Sequence, residues 1–123
     1  MADKFIRIYD NVNQTGEMNQ FEMQAELKTY IDRELYANLS QALNDVADGR
    51  GSATGSKTFN GYPVLHASAG KIGRSSITLF WYEKDRNHYI IAMGEHANST
   101  TYDLTHYGQI EGDFRLNNRI TIV

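Results

Sequence analysis

Near residue 50 the apolar pattern of this chain changes period, and that change limits its folds more than any other feature. From Asn19 to Val46, the residues Phe21, Leu27, Ile31, Leu35, Leu39, Leu43 and Val46 recur mostly at intervals of three or four. That spacing marks one face of a helix. After residue 60 the interval shortens to two. In "SSITLFWYE", from residue 75, Ile77, Leu79 and Trp81 fall on one side, with Thr78, Phe80 and Tyr82 on the other. Successive residues of a strand point to opposite faces, so a strand that is apolar or aromatic on both sides is a central one. Helices first and strands afterwards predict an α+β domain with the helices laid on an antiparallel sheet.

Local signals divide the chain further. "KFIRIY", residues 4 to 9, alternates as a short strand, with Phe5, Arg7 and Tyr9 opposed to Ile6 and Ile8. Asn19 followed by Glu22 fits a capping box, and Asn38 followed by Gln41 repeats the signal. Two helices are expected, from about 20 to 37 and 39 to 47, with one long broken helix as the alternative. "ADGRGSATGSK", residues 47 to 57, has the glycines and serines of a flexible connection between helix and sheet. Four or five antiparallel strands follow: "YPVLHA" from 62, "SSITLFWYE" from 75, "HYIIAM" from 88, "TYDLTHY" from 101 and "RITIV" at the end. "EKDRN" reads as a hairpin turn. Residues 1 to 123 are expected to form a single domain, and no internal repeat is visible.

Composition excludes several functions. The chain has 123 residues and no cysteine, so it has neither a disulfide nor a thiolate nucleophile or ligand. The N-terminus lacks the apolar stretch of a signal peptide. No run approaches the ~20 apolar residues of a membrane span, and a cytoplasmic location is expected. The formal charge is -3. Residues 1 to 64 carry nine acidic and six basic side chains, and residues 65 to 123 six of each. Neither half supplies the excess of Lys and Arg from which bulk affinity for a polyphosphate arises. The spacings of His66, His88, His96 and His106 match no compact zinc motif. No metal or other cofactor is expected.

The stretch richest in chemistry is "MGEHANSTTYDL", residues 93 to 104, directly after the apolar "YIIA". A buried strand is expected to end at Gly94 and to release a loop that carries Glu95 and His96 and returns at Tyr102. An imidazole with an unperturbed pKa near ~6.5 can act as acid or base at neutral pH. A tyrosine can stack on a base or donate its proton, and the planar fork of Arg74 can hold a phosphate. Each also has a plain reading: an exposed loop histidine, a packed tyrosine, an arginine at a glycine-containing turn.

"KTFNGYPVLHASAGKIGRSSITLFWYEKDRNHYIIAMGEHANSTTYDL", residues 57 to 104, resembles the RelE/ParE family of small bacterial toxins. The shared run is a Lys, a Gly a few residues on, a strand, a Gly-containing turn, an Arg, an aromatic-rich strand, a hairpin and a strand ending in Gly. The resemblance implies a short first strand, paired helices and an antiparallel sheet. It also implies a toxin–antitoxin or mobile-element setting, with RNA or the ribosome as target and an antitoxin as protein partner. Some members cleave messenger RNA; others act on DNA gyrase. By position, the resemblance makes His96, Tyr102 and Arg74 the catalytic candidates, and His66, Lys57 and Glu95 binding candidates. The chain departs from the family in its acidity, in a strand whose usual lysines are reduced to His66, and in a tail from His106 to Val123. Two other readings fit the same pattern. One is a non-catalytic protein-binding module of the immunity or antitoxin kind. The other is an NTF2-like domain whose curved sheet would enclose a small molecule.

Overall fold

The first helix begins where the sequence places its cap. In the computed structural model, which describes residues 4–8, 14–59, 61–70, 76–96, 101–103 and 119–121, Asn19 Oδ1 accepts from the Glu22 N–H at 2.8 Å. Glu22 Oε1 accepts from the Asn19 N–H at 2.9 Å. This reciprocal pair satisfies two donors that the first helical turn leaves without partners. Helix α1, Gln20–Lys28, is shorter than expected and buries Met23 and Leu27. Phe21, counted above as part of the apolar face, is 82% exposed, and Met23 takes the inward position. The helix stops where the Thr29 hydroxyl donates to the Glu26 carbonyl at 2.8 Å, a local bond that competes with helix continuation.

A 3₁₀ turn, Arg33–Leu35, leads into α2, Tyr36–Ala47. This helix starts three residues before its expected start, and its N-terminus has no side-chain cap hydrogen bond, so the predicted Asn38–Gln41 box does not form. Leu39, Ala42, Leu43 and Val46 are its buried stripe. Its end is a Schellman motif. Gly49, at φ 71°, donates to the Val46 carbonyl at 3.1 Å, and Arg50 donates to the Asp45 carbonyl at 2.9 Å.

The connection after α2 is only a few residues long. Most of the glycine- and serine-rich stretch is strand: β2 runs Ser52–Phe59. It pairs with β3, Tyr62–Ala69, at Ser52↔His66 and Ala53↔Leu65, then at Thr58↔Pro63 and Phe59↔Tyr62. Between these pairs, residues 54–57 of β2 face Val64 alone, an enlarged bulge with Gly55 at φ 56°. Gly51 is a packing glycine. A methyl group there would overlap the Trp81 indole and lie 3.3 Å from Leu65 Cβ. Gly51→Ala is therefore expected to cost about 1–3 kcal/mol through overpacking, read as a lower urea midpoint, whereas a flexible linker would tolerate the change.

Strands β4, Ile77–Lys84, and β5, Asn87–His96, form the centre of the sheet. The hairpin between them closes at Lys84↔Asn87. Asp85 and Arg86 both have positive φ, 54° and 68°, as a two-residue type I′ turn requires. The free edge of β5 is shared. At its start β1, Lys4–Arg7, pairs in parallel, from Lys4↔Asn87 to Arg7↔Ile90. At its far end β6, Thr101–Asp103, pairs antiparallel, and β7, Arg119–Thr121, follows. The described sheet thus has seven strands, more than expected, and is antiparallel except at β1.

Both faces of the sheet are packed. On one, Phe5, Ile77, Leu79, Trp81, Ile90 and Met93 meet the stripes of α1 and α2. On the other, Ile8, Phe59, Val64, Phe80, Tyr82, Ile91 and Ala92 form a second cluster. Phe5 and Ile8 divide between the clusters as the alternation in "KFIRIY" requires. No helix among the described residues is long and apolar enough to cross a membrane.

Candidate functional site

The stretch expected to be a loop after Gly94 begins as strand. β5 runs two residues further and pairs with β6, with Glu95 opposite Asp103 and His96 opposite Tyr102. Six residues separate His96 and Tyr102 in sequence, and on one straight strand they would lie ~20 Å apart. As antiparallel partners their Cα atoms stand about 4.5–5.5 Å apart. The imidazole- and phenol-bearing positions are thus neighbours on one short ribbon at the end of β5. Glu95 is half-buried and pairs with a second acidic position, so the ribbon juxtaposes two carboxylate-bearing residues one rung from His96.

His66 lies elsewhere on the sheet. It pairs with Phe80 of β4, and Phe80 pairs with Ala92 of β5. His66 is therefore two strands from β5 and four residues short of His96, about 16 Å between backbones from strand spacing and rise. Its Nδ1 is 3.2 Å from the hydroxyl of Thr54 on the bulged part of β2. Its ring lies 6.1 Å from that of Phe80. One step along the same face, Ser68 Oγ and Thr78 Oγ1 share a hydrogen bond of 2.7 Å. Thr54 and Thr78 are fully buried, and His66 and Ser68 are half-buried. Thr78 pairs with Gly94, so this polar row runs toward the end of β5 that carries His96. Lys57 belongs to the irregular part of β2. Arg74 lies outside the described residues.

Sequence reasoning named His66 but missed the rest of this polar row. Its only signal was the alternation of His66 and Ser68 along β3 and of Thr78 on β4, obscured by the apolar residues around them. At the opposite end of the same face Tyr82 stacks between Tyr62 and Tyr89, with centroids 5.2 and 4.8 Å away and rings inclined by 13° and 2°. The Lys84 ammonium lies 5.6 Å from the Tyr62 ring. Such cross-strand aromatic contacts stabilise a sheet and account for part of the aromatic content. His88 sits on the helix-covered face, 3% exposed. Its Nδ1 is 3.1 Å from Glu83 Oε2, and the same carboxylate oxygen accepts from Trp81 Nε1 at 3.3 Å. With the Phe5 ring 5.0 Å away, His88 is a core histidine. Among the described residues, no three His, Asp or Glu side chains gather as a metal site.

No family model matches the chain, and neither does any curated protein or solved structure compared with it.

Proposed function

We propose that the chain is a RelE-like endoribonuclease that cuts without a metal, with its reacting groups on the β5–β6 ribbon. One observation carries the reading: the register that pairs His96 with Tyr102. Cleavage of RNA needs no external nucleophile, because the substrate's own 2′-oxygen attacks the neighbouring phosphorus. A base must take the 2′-hydroxyl proton, and an acid must protonate the departing 5′-oxygen. His96 serves as the base and Tyr102 as the acid. Arg74 steadies the charge that gathers on the phosphorane, and Lys57 supports the substrate chain. The products are a 2′,3′-cyclic phosphate and a 5′-hydroxyl end. A cognate antitoxin is the protein partner such a toxin implies, and the ribosome is the setting in which a chain of net charge -3 would meet RNA without a strong electrostatic field of its own.

The test is cleavage of a defined RNA, alone in EDTA and on ribosomes in their magnesium buffer. Cleavage of the free RNA is expected to persist in EDTA, and cleavage in either setting to vanish when the ribose at the cut carries a 2′-hydrogen, because the nucleophile is then absent. No cleavage in either setting would sink this reading.

A further inference from the structure

We infer that Thr78 positions the Ser68 hydroxyl as a hydrogen-bond donor to the RNA strand, at a phosphate flanking the one that is cut. The inference rests on the ribonuclease reading for its ligand, and on geometry for the rest. Ser68 and Thr78 are direct partners in the β3–β4 ladder, and their hydroxyls share a bond of 2.7 Å. Each hydroxyl has one proton and two lone pairs, so the direction of that bond decides which proton remains. Thr78 is fully buried, and Ser68 is the one hydrogen-bond partner of its hydroxyl among the described residues. Were Ser68 the donor, the Thr78 proton would be buried without an acceptor, and an unused buried donor is costly. Thr78 therefore donates to Ser68 Oγ. The proton of Ser68, a half-buried residue, is left for a ligand.

The surroundings of the pair suit a strand of RNA. The β2–β3 ladder begins at Ser52↔His66, so Ser68 lies past the end of β2. On the other side Thr78 pairs with Gly94, which brings no side chain to the rung between the hydroxyls and β6. An oxygen that accepts one hydrogen bond donates its own proton more strongly. Serine hydroxyls are also among the groups that hold phosphate oxygens and fix the register of a nucleic acid without reading its sequence. Ser68 is two strands and two residues from His96, about 12 Å between backbones. At that span the hydroxyl meets a neighbouring phosphate rather than the reacting one, and it contributes to binding rather than to proton transfer.

The test uses RNAs with a 2′-O-methyl group at the cut, which bind without being cleaved, each carrying one methylphosphonate in place of a phosphate near that position. The substitution removes the charge and one of the two acceptor oxygens. Binding is measured with the RNA alone and on ribosomes that carry it. In wild type, one substituted position flanking the cut is expected to weaken binding about fivefold, the size of one hydrogen bond. Ser68→Ala should bind the unsubstituted strand about fivefold more weakly, and the same methylphosphonate should then cost nothing further. Thr78→Val, or Thr78→Ala if that variant does not fold, should lose the position-specific effect with Ser68 in place, and Thr78→Ser should keep it. A cross-strand bond that only stabilises the sheet would lower the urea midpoint and leave the effect at that position as in wild type. An effect retained without the Thr78 hydroxyl would overturn the positioning role. Wild-type affinity in Ser68→Ala, or equal losses at every substituted position, would overturn the phosphate contact and leave the ribonuclease reading standing. No binding by the wild type in either setting would overturn both.

Discussion

Replacing His96 with alanine is expected to lower RNA cleavage by two or more orders of magnitude while leaving the urea midpoint close to that of the wild type. The two halves of that expectation have separate causes. A positioned acid or base contributes about 10²–10⁴-fold to a proton-transfer step, and an alanine offers no group for the proton. The fold is expected to lose little because alanine keeps the backbone N–H and C=O by which residue 96 pairs with Tyr102. Tyr102→Phe separates the roles further. It retains the ring for stacking and removes only the proton donor, so a tyrosine that merely packs would leave the rate unchanged. The readout is single-turnover cleavage of one RNA by wild type and both variants, with denaturant curves for each. Full activity in His96→Ala would remove the ribbon from the chemistry. Loss of activity together with a lowered midpoint would show that His96 supports the structure instead.

Much of the architecture was legible because local and tertiary demands agree. The Asn19–Glu22 box forms as its residues require. β4 buries both of its faces, as "ITLFWY" implies. "EKDRN" turns with a two-residue loop, although Asp85 and Arg86 lack the asparagine–glycine signature of a type I′ turn. The failures came where one demand overrode another. The period through Phe21, Ile31 and Leu35 reads as continuous helix, but the chain leaves the helix at Thr29, so residues counted on one face lie on different elements. β2 was hidden because Gly51 and Gly55 look like flexibility. One makes room for an indole and the other bends a bulge, and neither purpose shows in local composition. β1 was expected as a short strand without an assigned partner, and it pairs in parallel with β5.

The site was legible in part for the same reason. His96 and Tyr102 stood out as residue types, but their adjacency depends on β5 continuing past Gly94, which no local signal announced. Thr54 was invisible. A threonine between Ala53 and Gly55 carries no chemical signal until the β2–β3 register places it beside an imidazole.

Trp81→Ala is expected to cost about 3–5 kcal/mol and Leu79→Ala about 2–5 kcal/mol, read as lowered urea midpoints with an unchanged slope. Both side chains are fully buried on the face of β4 that meets the helices, so deletion leaves a cavity that the neighbouring elements cannot close without moving. Against a typical total stability of about 5–15 kcal/mol, the tryptophan variant would sit near the limit of folding. An unchanged midpoint in Leu79→Ala would show that β4 is not the central strand. Trp81 also allows a sharper test, since its indole is what excludes a side chain at Gly51. Phenylalanine at 81 lacks the outer atoms of the indole, Cζ2 and Cη2, that lie against that glycine. In the Trp81→Phe background, Gly51→Ala should therefore cost less than it does in wild type. Residues in contact show coupling of about 0.5–3 kcal/mol, whereas distant ones add within about 0.3–0.5 kcal/mol. A double-mutant cycle that closes additively would mean that the connection before β2 does not pack on Trp81, and the chain would regain the flexible linker that its glycines suggest.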